Sequence, residues 1–421
     1  MKTLTSTMEE RELAGMRLFA ARTSALDVVR IEGSVLGGKN LLTKNKGQVA
    51  ALVAELLDAG TAKRSMDAIR EELSARGITL MFSASGDRLL FSASCLPEDV
   101  SYTCSVIVEC LMGATFPEKE LKLAKARLVG QLTEAKSDTQ AQASIAHFRL
   151  TYGADHPNYP ATIDERIKQV ESATRAELRA HREKFGKTGL VLSVVGDISA
   201  AKTLDAVSKI FGKLPAGVGE VPVKQTNAKQ VKATEQIVTI KDKSNVDVYA
   251  GTPVGFTYDD ARYVPFIVLL DLLGGRGLSS GHFMRTIRER DGLTYGIYAL
   301  PCGFEDGSNG AYRIWATFAP SVYPKGITAI KKEIGVFLAK GLTEEALANK
   351  KDEMVGRYLI GLSTAQGLAR ALHRLGAEGK PLSYIEEYPD LLRALTVADL
   401  KKIAPLLDVN KLVIAAAGTL P

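Results

Sequence analysis

Arg288 and Tyr295 stand seven residues apart in the run SSGHFMRTIRERDGLTYGIYA, residues 279–299. A guanidinium and a phenol aimed at one point could hold a carbonyl oxygen as it becomes an oxyanion, since both donate hydrogen bonds and one is cationic. The surrounding residues supply the means of aiming. A helix ends at Leu273, Gly274, Gly275 and Gly277 make a flexible loop, and Ser279 and Ser280 offer N-caps for a helix over 282–290. Asp291-Gly292 is a turn signal, and 293–299 has the aromatic and β-branched content of a strand. Spacing alone favours a plainer reading, a solvated arginine on a charged helix end and a half-buried tyrosine.

The other reactive side chains offer less. His147, His156, His181, His282 and His373 include no i, i+4 pair that would hold a metal from one helix face. His282 opens the Arg288 helix and reads as a surface or capping residue. Cys95, Cys104, Cys110 and Cys302 have no CxxC spacing and read as free thiols, mostly buried. The loop LLGGRGLSSG lacks the Lys-Ser/Thr of a phosphate-binding P-loop and does not fit G-x-G-x-x-G. Its glycines give the loop backbone freedom.

Composition narrows the class. The 421 residues suffice for several domains, and 46% hydrophobic with 24% charged residues is ordinary for a globular protein. The net charge of +6 is spread along the chain, which gives no reason to propose a nucleic-acid partner. No apolar stretch is long enough to span a membrane. The opening MKTLTSTMEERELAGMRLFA has no apolar core of a signal peptide, so the chain reads as cytoplasmic or as a mature form with its signal removed.

Read in order, residues 13–35 alternate like strands, 47–59 form an apolar helix and 65–76 a charged one. Residues 77–96 make a hairpin turning at Gly86-Asp87, followed by helices over 97–112, 117–137 and 139–151. A helix over 174–185 leads into a buried strand over 190–195. The order then recurs. Residues 263–273 repeat the apolar helix ending in glycine, PEKELKLAKARLVGQ (117–131) is echoed by TEEALANKKDEMVGR (343–357), and 173–198 by 395–420. A repeat of such length implies two similar domains, over 1–213 and 237–421, joined by the Gly-, Pro- and Lys-rich linker 214–236.

The run 279–299 and this duplicated layout resemble the pitrilysin and insulin-degrading peptidases, including the mitochondrial processing peptidases. The resemblance extends from about Leu13 to Leu420. It implies an α+β fold of two homologous domains, each an antiparallel sheet covered by helices, arranged as a clamshell around a peptide chamber. It places the family's transition-state pair on Arg288 and Tyr295, and makes His156, in DHPNY, structural. Active members carry H-x-x-E-H on the first long helix, with two histidines binding zinc and the glutamate acting as base on its water. Those positions fall here on Ala51, Leu52, Val53, Ala54 and Glu55, and the downstream carboxylate ligand on Gln131.

Loss of the metal positions beside a kept Arg/Tyr pair implies the non-zinc subunit of a heterodimeric metallopeptidase. This chain would bind no metal or cofactor, with zinc held by a homologous partner carrying H-x-x-E-H. It would be inactive alone, with self-pairing when the partner is absent, and peptides would be the substrates. Paired bacterial relatives are commonly exported, which favours the periplasm over the cytoplasm. The alternative is a non-catalytic scaffold or peptide-binding homologue of the same fold.

Overall fold

The computed structural model describes residues 4–23, 28–218, 232–275 and 281–420. Most of the expected linker, and the loop residues Gly277, Ser279 and Ser280, lie outside the described residues.

The first sheet holds β1 (Met8–Leu13), β2 (Met16–Arg22), β3 (Val29–Leu36), β4 (Thr79–Ser85), β5 (Arg88–Cys95) and β6 (Leu190–Gly196), in the order β1-β2-β6-β3-β5-β4. Ser85 pairs with Arg88 across the Gly86-Asp87 turn, so that hairpin falls where expected. The sheet is not wholly antiparallel. β2 and β6 run parallel, which the long helical chain between them permits. β6, LVLSVVG, lacks a polar alternation because both its faces are covered. Leu190, Leu192 and Val194 join a core with Val49, Leu52 and Ile107, whereas Val191 and Val195 pack with Phe19, Leu368, Leu372 and Leu375. Successive side chains point to opposite sides of a strand, so one apolar run feeds two cores.

The second of those cores is built by a helix from the far end of the chain, Ala365–Ala377. A Cβ on Gly376 would stand 2.6 Å from Val191 and 2.7 Å from the Phe19 ring, so only glycine lets the helix sit this close. Ser193 Oγ donates to Ala369 O at 2.7 Å, and Ser34 Oγ lies 2.8 Å from His373 Nε2. Arg88 Nη1 donates to the same Ser34 oxygen at 2.8 Å, leaving the hydroxyl hydrogen for a neutral imidazole.

The second sheet holds β7 (Thr234–Thr239), β8 (Val246–Pro253), β9 (Ile297–Cys302), β10 (Ala311–Phe318) and β11 (Val413–Gly418), ordered β7-β11-β8-β10-β9. Only β7 and β11 are parallel. β7 starts inside the stretch expected to be linker. The helix Thr139–Thr151 lies on this sheet, with Ala143 against Tyr249 and Ala417. Its first residue donates through Thr139 Oγ1 to the buried Asp247 at 2.5 Å, and Trp315 Nε1 and Asn245 Nδ2 bond the same carboxylate at 2.9 and 2.8 Å. Three donors satisfy a charge that burial would otherwise make costly.

The compact units are therefore not contiguous halves. One comprises Met1–Leu132, Asp164–Val223 and Arg357–Tyr388, and the other Thr133–Ile163, Lys224–Gly356 and Pro389–Pro421. The expected division into 1–213 and 237–421 differs from these units, since 133–163 groups with the later sheet and 357–388 with the earlier one. Sequence repeats mark similar elements, not which sheet each element covers. The repeat itself is visible in detail. The echoed helices Arg175–Arg182 and Val397–Ile403 both open on a capping box, Thr174 with Glu177 and Thr396 with Asp399.

Candidate functional site

The segment carrying Arg288 begins as a helical turn and then widens into a π-helix, Met284–Arg290. Asp291 N bonds Thr286 O at 2.9 Å, the five-residue span of such a turn. Phe283, Met284 and Ile287 are buried beneath it, and Arg288 is half-buried beside them. Gly292, at φ +62, then reverses the chain, a conformation a side chain would strain.

The return strand starts at Ile297, not at Leu293, so Tyr295 sits in the loop ahead of β9. Thr294 holds that loop. Its hydroxyl donates to Thr317 O on β10 at 2.6 Å and accepts from Gly296 N at 3.2 Å. Capturing the backbone in this way keeps Leu293 and Thr294 inward and turns Tyr295 outward, where it is 84% exposed. The Arg288 guanidinium carbon stands 5.2 Å from the Tyr295 ring centre, within cation–π range. The fold thus brings the two sequence-predicted residues together. Neither side chain makes a hydrogen bond to another described residue. Two donors, one charged and one neutral, are left facing solvent at one place.

Sequence reasoning missed what fixes this segment. Glu333, 1% exposed on the helix Tyr323–Val336, accepts from His282 Nε2 at 2.8 Å and from Arg290 Nη2 at 2.9 Å. Burial alone would raise the Glu333 pKa, but the bonds from Arg290 and His282 outweigh it and lower it. Burial lowers that of His282, with Glu333 opposing. His282 is therefore not a surface or capping residue. Nothing in local spacing marks Glu333, which lies 51 residues from His282.

The metal positions lie on the helix Gly47–Leu56. Ala51 and Ala54 present methyl groups, with Ala54 buried. Glu55 is held by Arg127 of the helix Glu118–Ala135, whose Nε and Nη2 both donate to Oε1, the former at 2.7 Å. Gln131 lies one turn beyond Arg127 and is exposed. Two methyls, an amide and a carboxylate neutralised by a guanidinium do not make a zinc site. Among the described residues, no group of three or more His, Cys, Asp or Glu could hold a metal. The histidines are otherwise engaged: His181 Nε2 lies 2.8 Å from Gly37 O, and His156 stacks on Tyr152 at 4.3 Å. Cys95, Cys104 and Cys110 are buried free thiols, and Cys302 is a partly exposed one.

Residues 172–354 match the family model described as peptidase M16 inactive domain, and residues 37–154 the model for insulinase, peptidase family M16. The chain belongs to peptidase family M16. It is a member without the family's zinc-binding residues, a non-peptidase homologue. It is 24% identical over 372 residues to the non-peptidase homolog YmxG of Helicobacter pylori, covering 87% of this chain and 82% of that protein. The fold matches the crystal structure of a peptidase M16 inactive domain from Pseudomonas fluorescens with a TM-score of 0.88, at 22% identity and 98% coverage of both chains. It also matches the periplasmic protease PqqL from Escherichia coli with a TM-score of 0.77 at 16% identity, covering all of this chain and 46% of that one. No helix among the described residues of this M16 homologue is long and apolar enough to cross a membrane.

Proposed function

We propose that this chain is the non-zinc-binding subunit of a heterodimeric zinc metallopeptidase. It supplies Arg288 and Tyr295, with the surrounding peptide-facing surface, to a homologous partner that carries H-x-x-E-H. One observation carries the reading: the zinc positions have become Ala51, Ala54, Glu55 and Gln131, while Arg288 and Tyr295 stay paired and free to donate. An exposed tyrosine beside an arginine, neither bonded to another described residue, is the arrangement that two donors serving a substrate oxygen require.

In this division of labour a partner carrying H-x-x-E-H would hold the zinc and supply the activated water. Arg288 and Tyr295 then hydrogen-bond the substrate carbonyl and follow it as its oxygen gains charge. Donors aimed at that oxygen stabilise the transition state more than the ground state, and removing one costs on the order of 10²–10³ in rate. Peptides are the proposed substrates and the periplasm the proposed location; PqqL, whose fold this chain shares, is a periplasmic protease.

The test is reconstitution. The chain and an H-x-x-E-H homologue from the same genome, purified separately and mixed at micromolar concentration, should co-elute as a heterodimer that cleaves peptides neither cleaves alone. Separate elution with unchanged activity would leave a scaffold or peptide-binding protein. Cell fractionation that recovers the chain with cytoplasmic markers would overturn the location.

A further inference from the structure

We infer that Glu333 is a positioning residue for Arg288, an inference that rests on reading Arg288 as a transition-state donor. A buried carboxylate is expensive unless it is paired and bonded, and Glu333 lies between the buried Ile330 and Ile334 on its helix. Its two oxygens do not share a partner. One accepts from His282 and the other from Arg290, residues that bracket Arg288 at the two ends of a single short segment.

That segment is a π-helix, a rare form that occurs mostly as single turns and frequently at functional sites. A second tether acts at the same end, where Thr286 Oγ1 donates to His282 O at 2.8 Å. Arg290 also bonds Asp291, at 2.7 and 2.8 Å, immediately before the Gly292 reversal. Glu333 thus joins the start of the π-helix to the turn that delivers Tyr295. Losing it would let the Arg288 guanidinium wander relative to the phenol without touching either side chain. A misplacement of about 1 Å in such a donor can cost on the order of 10²-fold in rate.

The test uses two variants of the full chain. Glu333→Leu keeps the volume but removes both acceptors. Glu333→Gln keeps an acceptor for Arg290 and a donor for His282. In the chain alone, amide hydrogen exchange over 281–290 should quicken about tenfold or more in Glu333→Leu, with smaller change in Glu333→Gln and none in β6. In the heterodimer, kcat should fall about tenfold in Glu333→Leu with KM within about twofold, Glu333→Gln should recover part of it, and the loss should vanish in an Arg288→Ala background. Unchanged exchange over 281–290 overturns the inference, as does a kcat loss that persists undiminished when Arg288 is absent. An inactive wild-type mixture defeats the subunit reading instead, and the exchange result then decides the role of Glu333 alone.

Discussion

Replacing Arg288 by lysine would keep the positive charge and lose the planar fork. If the guanidinium acts only through charge, the heterodimer should tolerate the change. If it holds the carbonyl oxygen with directed N–H bonds while resting on the Tyr295 ring, lysine cannot substitute. We expect Arg288→Lys and Arg288→Ala both to lower kcat/KM by about 10²-fold, measured on the reconstituted complex. The metal positions give a second residue-level expectation. With Ala51 and Ala54 at ligand and base positions and Glu55 held by Arg127, the purified chain should carry far less than one zinc. Elemental analysis giving one zinc per chain would refute this. The approach of Arg288 to Tyr295 was expected from the sequence through the family resemblance and the short turn between them, while their role as donors belongs to the proposal. Glu333 was not legible, because its role depends on packing between elements distant along the chain.

The two exchanged helices make a claim at the scale of elements. Thr139–Thr151 and Ala365–Ala377 are each 13 residues long, and they carry His147 and His373 at the same place. Burial lowers the His147 pKa to about 3, with the charge of Arg313 adding to the effect, and lowers that of His373 to about 4, with Arg88 adding. Both values lie below the ordinary 6.5, so the unfolded chain takes up these protons first. Stability from both groups is therefore full above about pH 6.5 and is lost as pH falls towards 4 and then 3. Glu32, raised by burial, acts in the opposite sense on the same face, so the comparison must be with a variant. His373→Gln should flatten the fall in Tm between pH 6.5 and 4, and a slope equal to wild type would refute the assignment. In the same core, Leu372→Ala should cost about 2–5 kcal/mol in chemical denaturation.

At the scale of the whole molecule, the exchange of helices predicts mutual dependence. A fragment of residues 1–218 would expose Phe19, Val191 and Val195 on the sheet face that Leu368, Leu372 and Leu375 cover. A fragment of residues 232–421 would leave Asp247 without the Thr139 donor. Expressed alone, the first fragment should aggregate or melt without cooperativity, whereas coexpression of the two should restore a soluble complex. Independent cooperative folding of 1–218 would contradict the exchange.

Much of the architecture was legible. The helix 139–151, the hairpin at Gly86-Asp87 and the echoed capping segments all lie where periodicity and turn chemistry put them, because local propensity decides them. The exchange, the parallel pairs β2–β6 and β7–β11, and the late start of β9 were not legible. Each depends on which distant surface an element finds, and an amphipathic helix carries no label for the sheet it will cover.

The measurement that bears most directly on the subunit reading is the activity of the heterodimer carrying Tyr295→Phe. Phenylalanine keeps the exposed ring and its stacking under Arg288 but removes one hydroxyl that makes no hydrogen bond to another described residue. Folding and pairing should be nearly unchanged, while kcat/KM falls by about 10²-fold or more. The Arg288→Ala, Tyr295→Phe double variant should lose less than the sum of the two if both donors serve one oxygen. A Tyr295→Phe heterodimer with full activity would mean that the partner performs the chemistry alone and that this chain serves only as its scaffold.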